Sequence, residues 1–314
     1  MNIVFFGSSQ FAAPALKALI GSGHEISCVV TQPDSQKGRG LRLAETAVKK
    51  VAQEANLKIY QPQRINTAEA LRLLKGLKPD LFVVVAYGQI LSKGLLEIPK
   101  IFSINVHASL LPRYRGAAPI NWAIINGERK SGITIIRMTE EMDAGAILLQ
   151  RATDILGQDT AVTLAEKLSD LGANLLLDSL RLIRDNKINL ILQNEAEASF
   201  APKLKKEDGL ICWNKAAREV HNQIRGCLNW PGAFTYYKGN LLKIYKATVK
   251  ASGHQGIAVS AGEIVGVAKE GISVATGKDN LVIEELQMEG RRRMEAGEFI
   301  AGHKISAGER FYKK

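Results

Sequence analysis

Two polar side chains set two residues apart carry the chemistry of this chain. In the run INVHASLLPRYRGAAPI, Asn105 and His107 sit on or at the end of an apolar, β-branched stretch that includes Ile104 and Val106. Alternate side chains of a strand share a face, so this spacing delivers a carboxamide and an imidazole to one side of a sheet. Such a pair holds a carbonyl oxygen and donates a proton, the two tasks that acyl transfer sets its electrophilic site. A lone histidine in apolar company is more often a hydrogen-bonded core residue. The next segment changes that reading, because Leu110, Leu111 and Pro112 stand beside Arg113, Arg115 and Gly116 in the mixture of apolar surface and charge that lines substrate pockets. A third group, Asp143 in MTEEMDAGAIL, lies in a loop two residues before Gly145. An Asp before glycine is usually a turn residue. Near an imidazole, however, a carboxylate orients the ring, stabilises its charged form and helps take protons from an attacking amine.

These groups need a scaffold, and the first half of the chain supplies one. Apolar strand-like runs at Ile3 to Phe6, Ile26 to Thr31, Leu81 to Ala86, Ile101 to Val106 and Ile133 to Met138 alternate with helical spacing at Pro14 to Ile20, Glu45 to Ala55 and Thr67 to Lys75. The pattern predicts an α/β fold: a doubly wound, Rossmann-like, mostly parallel sheet covered on both faces. Thr160 to Arg184 carries Leu164, Leu168, Leu171, Leu175 and Leu176 at three- and four-residue steps, the stripe of a long helix that packs on the sheet. In an open α/β sheet the ligand lies beyond the carboxyl ends of the strands, which is where Asn105 and His107 fall. The turn after the first strand, GSSQFAA, lacks the G-x-G-x-x-G spacing and argues against a nicotinamide cofactor.

From Asn189 to Asp208 the periodicity breaks around Pro202 and a basic cluster of Lys203, Lys205 and Lys206. Beyond it, a helical stretch at Asn214 to Cys227 leads into short β-rich pieces punctuated by glycine, which suggests a small β-barrel of the OB type. The expected organisation is a catalytic domain over residues 1–189, a linker over 190–207 and a C-terminal β-barrel over 208–314.

With 46% hydrophobic and 23% charged residues the composition is that of a globular protein. No apolar run approaches the length of a bilayer crossing, and the N-terminus has neither a basic n-region nor a cleavage signal, so no membrane association and a cytoplasmic location are expected. Cys28, Cys212 and Cys227 are odd in number and widely spaced, which fits neither a disulfide framework nor a zinc site; reduced, inert thiols and no metal are expected. The net charge of +11 is unevenly placed, with 19 Lys and Arg against 12 Asp and Glu from residue 203 onward. A surplus of that kind draws polyanions, nucleic acid first among them.

The block SINVHASLLPRYRGAAPI with the later MDAG resembles the folate-dependent formyltransferases. The likeness runs the length of the chain, through TQPDSQKGRG at 31–40, VVVAYGQIL at 83–91 and NWPGAFT at 229–235. The resemblance implies a catalytic Asn105, His107 and Asp143, with a 10-formyltetrahydrofolate donor held around Ser109, Leu110, Leu111 and Pro112. It implies that His107 and Asn105 stabilise the negative oxygen formed when an amine attacks the formyl carbon. Asp143 would keep the imidazole charged and accept, through water, the proton the amine sheds. It further implies methionyl-initiator tRNA as the acceptor. The polar, glycine-punctuated segment Gln32 to Leu43 enters the acceptor stem by Lys37, Arg39 and Arg42, with Arg39 a principal contact, while Lys203, Lys205 and Lys206 line the route between domains. A monomer is expected. Ala108 stands where the family more often has glycine, and Ala146 where an acidic residue is frequent.

Two other readings share these features: a UDP-aminosugar formyltransferase, and a non-catalytic tRNA-binding protein on the same fold. A glycinamide ribonucleotide formyltransferase needs little beyond the first 200 residues. The KGRG loop and the basic tail favour RNA as the acceptor.

Overall fold

A computed structural model describes residues 1–37, 42–251 and 259–312. The chain forms two compact bodies: Met1–Pro119, Lys130–Asp154 and Ala165–Ala201 make one, and Ile120–Arg129, Ile155–Leu164 and Pro202–Lys314 the other. In chain order the strands are β1 (Asn2–Gly7), β2 (Glu25–Val30), β3 (Ser35–Lys37), β4 (Arg42–Ala44), β5 (Ile59–Tyr60), β6 (Leu81–Val85), β7 (Phe102–His107), β8 (Lys130–Arg137) and β9 (Ile147–Asp154), then β10 (Ala233–Tyr237), β11 (Asn240–Lys250), β12 (Ile264–Ala268), β13 (Gly271–Ala275), β14 (Asn280–Met288) and β15 (Met294–Glu295). The helices are α1 (Ala13–Ile20), α2 (Ala47–Glu54), α3 (Ala68–Gly76), α4 (Lys93–Leu96), α5 (Pro119–Ile125), α6 (Ala161–Arg184), α7 (Ala217–Gly226) and α8 (Ala296–Gly302).

Among the described residues the first body holds a seven-stranded sheet in the order β5-β2-β1-β6-β7-β8-β9 and a separate two-stranded pair, β3-β4. The strands from β5 to β7 are parallel, whereas β8 runs antiparallel to β7 and β9 antiparallel to β8. The sheet is therefore Rossmann-like and mostly parallel with an antiparallel edge. All five residues of β6, LFVVV, are buried, as expected for a strand covered on both faces. Each such side chain contributes about 1.5–3 kcal/mol when fully buried. One face of the sheet packs Val4, Phe6, Val30, Phe82 and Val84 against Ala70 and Leu74 of α3. On the other face, the missing side chain at Gly172 of α6 lets that helix approach Val106 and Ile133. Helix starts follow their caps: Thr46 accepts a hydrogen bond from Lys49 N at α2, and Thr67 from Ala70 N at α3.

The second body holds an antiparallel sheet in the order β10-β11-β14-β13-β12, with β15 beside β14. Residues 309–312 join its two edges. Tyr312 exchanges backbone hydrogen bonds with Tyr236 of β10, and Phe311 N and Glu309 O pair with Gly262 O and Ile264 N beside β12. The sheet is thereby closed into the small barrel the glycine rhythm suggested. Trp213 stacks on Phe311 inside it and donates from Nε1 to Thr235 Oγ1 at 3.0 Å. Two side chains of the basic run at 291–293 are engaged locally: Arg292 pairs with Glu298, and Arg293 pairs with Glu285 and lies over the Tyr245 ring.

No helix among the described residues is long and apolar enough to cross a membrane. Cys28 and Cys227 are buried, and burial pushes their thiols up to about 11 and about 12. Cys212, by contrast, is exposed.

Candidate active site

Strand β7 alternates as its sequence requires. Val106 packs toward α6, so Asn105 and His107 point to the opposite face, beside the carboxyl end of the parallel strands. Asp143 meets both of them there. Its Oδ1 accepts from Asn105 Nδ2 at 3.2 Å, and its Oδ2 lies 3.5 Å from His107 Nδ1 and accepts from Gly116 N at 2.9 Å. The three side chains named from sequence thus share one cluster, with His107 buried and Asn105 and Asp143 half-buried.

The imidazole is held at its far edge too. His107 Nε2 lies 2.9 Å from the Tyr114 carbonyl oxygen. A carbonyl only accepts, so Nε2 carries the proton in that contact and Nδ1 is the nitrogen turned to Asp143. Both loops that grip the ring are locally strained: Asp143 has φ +53°, Tyr114 φ +61° and Gly116 φ +118°. At Gly116 a Cβ would stand 2.8 Å from Ala201 O, and at Gly145 it would collide with the Arg137 carbonyl. Only glycine fits either position without a shift of the backbone. Ala108 is not among the residues with positive φ, so its methyl brings no backbone strain. At the other departure, Ala146 O accepts from Arg137 N at 2.9 Å, a main-chain contact indifferent to the side chain.

The loop Ser109 to Pro112 is held by side chains of β8 and β9. Thr134 Oγ1 donates to Ser109 O at 2.7 Å and accepts from Leu111 N at 3.1 Å, while Gln150 Nε2 donates to Leu111 O at 2.9 Å. Ser109 Oγ donates to Arg113 O at 2.6 Å, and Leu110 and Pro112 remain partly exposed. Arg115 departs from the pocket-lining role its loop suggested. It is buried and makes a two-pronged ion pair with Glu195, with contacts of 2.8 and 2.7 Å, and that guanidinium holds the Glu195 carboxyl below its ordinary range.

Sequence reasoning missed the partners of Arg115. Residues 191–201, which fall in the expected linker, hydrogen-bond to the rest of the first body at Ile191, Gln193, Glu195, Ser199 and Ala201. Ser199 Oγ accepts from Tyr114 N at 2.9 Å, Arg115 N donates to Ser199 O at 2.8 Å, and Gln193 bonds both Arg115 and the Asp143 loop. No periodic signal marks these residues, because their bonds run to loops distant in sequence.

The expected RNA-binding residues are placed less fully. Lys37 and Arg42 are paired in register across β3 and β4, a hairpin where the sequence suggested a loop, and Arg39 lies outside the described residues. Lys203, Lys205 and Lys206 are exposed.

A model described as "Formyl transferase" matches residues 1–180, and one described as "Formyl transferase, C-terminal domain" matches residues 203–304. A protein of Citrifermentans bemidjiense named methionyl-tRNA formyltransferase is 45% identical over 315 residues, covering 100% of this chain and 97% of its own. A protein of the same name from Alkaliphilus oremlandii is 46% identical over 308 residues, covering 98% of each chain. Among solved structures, an N-formyltransferase from Helicobacter canadensis in complex with folinic acid and dTDP-3-aminofucose superposes with TM-score 0.65 at 20% identity, over 90% of this chain and 98% of that one. HypX from Aquifex aeolicus in complex with tetrahydrofolic acid gives 0.65 at 16% identity, over 95% of this chain and 46% of that one. These two likenesses speak to the fold. Matched in order by both domain models and across nearly its whole length by the two bacterial proteins, this chain belongs to the formyl transferase family.

Proposed function

We propose that the chain transfers a formyl group from 10-formyltetrahydrofolate to the amino group of methionyl-initiator tRNA, with Asn105, His107 and Asp143 as the catalytic residues. The observation that carries this reading is the meeting of Asp143 with both Asn105 and His107 at the end of β7. The full-length relatives named methionyl-tRNA formyltransferase support the choice of acceptor. The bound donor supplies the electrophilic formyl carbon and a nitrogen leaving group. Leu110 and Pro112, beside main chain already fixed by Thr134 and Gln150, offer a preset wall with apolar surface suited to a flat ring.

The residues divide the work by atom. The amine nitrogen bonds to the formyl carbon, which places negative charge on the formyl oxygen of a tetrahedral centre; as the carbonyl re-forms, the bond to the donor nitrogen breaks and that nitrogen leaves protonated, gaining one proton for the one the amine sheds. Asn105 Nδ2 and, with a proton on both ring nitrogens, His107 Nδ1 stabilise that oxygen as hydrogen-bond donors. Asp143 fixes both donors and takes, through water, the proton lost by the amine. Lys37, Arg39 and Arg42, with Lys203, Lys205 and Lys206, would contact the RNA, whose phosphates the basic C-terminal body grips. We further take residues 1–189 as the catalytic domain and 208–314 as the tRNA-binding barrel, in a cytoplasmic monomer.

The test offers purified protein the formyl donor with either methionyl-tRNA or a UDP-aminosugar and asks which amine becomes an amide. Formylated RNA is expected. A formylated sugar overturns the acceptor, and tight RNA binding with no product overturns the catalytic reading.

A further inference from the structure

Residues 191–201 form a strap across two loops of the first body. Its large apolar side chains, Ile191, Leu192 and Phe200, are exposed, and only the small Ala201 is buried, so apolar burial contributes little to holding it down. Hydrogen bonds do. Ile191 exchanges both backbone bonds with Ile147, at 2.8 and 3.0 Å, which sets the register of the strap. Two residues on, Gln193 turns inward between exposed neighbours. Its Nε2 donates to Asp143 O and Gly145 O, each at 2.7 Å, and its Oε1 accepts from Arg115 Nε at 3.1 Å and Nη2 at 2.8 Å. Both donors of the carboxamide and both acceptor sites are used.

The two loops joined in this way are those that complete the cluster. One presents the Asp143 carboxylate from a residue with φ +53°, a conformation that persists in a non-glycine residue only when the surroundings enforce it. The other supplies Gly116 N to that carboxylate and Tyr114 O to the imidazole. Arg115, the anchor of Gln193, lies between Tyr114 and Gly116, so the strap fixes the distance between the two loops.

Resting on the formyl-transfer reading of this cluster, we infer that Gln193 is a positioning residue for the reaction: anchored on Arg115, its amide holds the main chain at Asp143 and Gly145 so that the carboxylate meets Asn105, His107 and Gly116. A mere structural stitch and a positioning residue differ in what they move. The stitch lowers the melting temperature alone. The positioning role lowers kcat and leaves the KM for both substrates in place.

Gln193→Ala is expected to lower kcat about 10- to 100-fold, the scale of a small misplacement at a reacting centre, while the melting temperature shifts by only a few degrees. Gln193→Glu keeps the length and the Arg115 partner but sets an acceptor against two carbonyl oxygens. It is expected to be impaired to the same degree, and it carries the test if the alanine variant fails to fold. In an Asp143→Asn background the added Gln193→Ala change should cost less than about threefold, because both act through one carboxylate. Normal kcat in Gln193→Glu, or losses that multiply in the double variant, overturns the inference. If wild type is active, Asp143→Asn is impaired and the Gln193 variants are normal, this inference alone falls. An unimpaired Asp143→Asn takes the underlying reading down with it.

Discussion

The Nδ1 atom of His107 lies 3.5 Å from Oδ2 of Asp143, while the other ring nitrogen is committed to the Tyr114 carbonyl oxygen at 2.9 Å. The ring nitrogen left uncommitted by the main chain is therefore the one beside the carboxylate. Asp143→Asn preserves shape and removes charge. It and His107→Ala are each expected to lower kcat on the order of a hundredfold or more, with little change in thermal melting. Initial rates with methionyl-tRNA read the effect, and near-normal turnover in either variant removes that residue from the mechanism.

At Gly116 a tight backbone position coincides with a hydrogen bond to the Asp143 carboxylate. With φ +118° and a Cβ position 2.8 Å from Ala201 O, Gly116→Ala must push the loop away from the strap. A loss of about 1–3 kcal/mol in urea unfolding is expected, in the range of an overpacked site. Turnover should fall beyond what the lost stability explains, because Gly116 N is one of the bonds that hold Asp143. A variant as stable as wild type contradicts the steric argument.

His221 on α7 gives stability a pH dependence. Burial, and then Arg225 and Arg218, lower it to about 4, with Glu284 opposing weakly. Its folded value lies below the unfolded 6.5, so between those pH values the unfolded chain takes up a proton that the folded chain refuses. Above the upper value the ring is neutral in both states and the linkage vanishes, and stability is lost as pH falls toward the lower one. His221→Gln should flatten the decline of melting temperature across that window. An unchanged slope assigns the acid sensitivity to other groups.

The lysines at 203, 205 and 206 make a prediction read in salt. Replacing all three by alanine should weaken tRNA binding and reduce the slope of log affinity against log salt by roughly 2 to 3, a little under one unit lost per phosphate contact. An unchanged slope means that these side chains only face solvent.

Thiol chemistry should single out one residue. With Cys28 and Cys227 buried and their thiols raised, a thiol reagent is expected to label Cys212 in the native protein and all three cysteines after denaturation. Rapid native labelling at more than one site argues that a core is open.

The sheet was legible wherever burial writes itself into composition. LFVVV at β6, the INVH alternation at β7 and the leucine stripe of α6 each carry a period or an apolar run that only one environment satisfies. β9 was not, because its second half, with Gln150, Arg151 and Asp154, is exposed on the sheet edge and reads as loop. The β3–β4 hairpin is short and polar and hides for the same reason. At the site, Asn105 and His107 could be found from spacing. Asp143 needed the family resemblance, since nothing in MDAG distinguishes it from a turn. Gln193, Glu195 and Ser199 left no trace, because hydrogen bonds between remote loops have no sequence period.

The strap also bears on the order in which the molecule comes into being. Asn105, His107 and Asp143 leave the ribosome well before Gln193 and Ser199, so a nascent chain that ends with α6 already holds the whole side-chain cluster and still lacks the stretch that bonds to the loops around it. Anyone trimming the first body to its smallest working length, or grafting its chemistry onto another scaffold, should therefore expect to carry residues through Ala201 rather than stopping where the long helix ends.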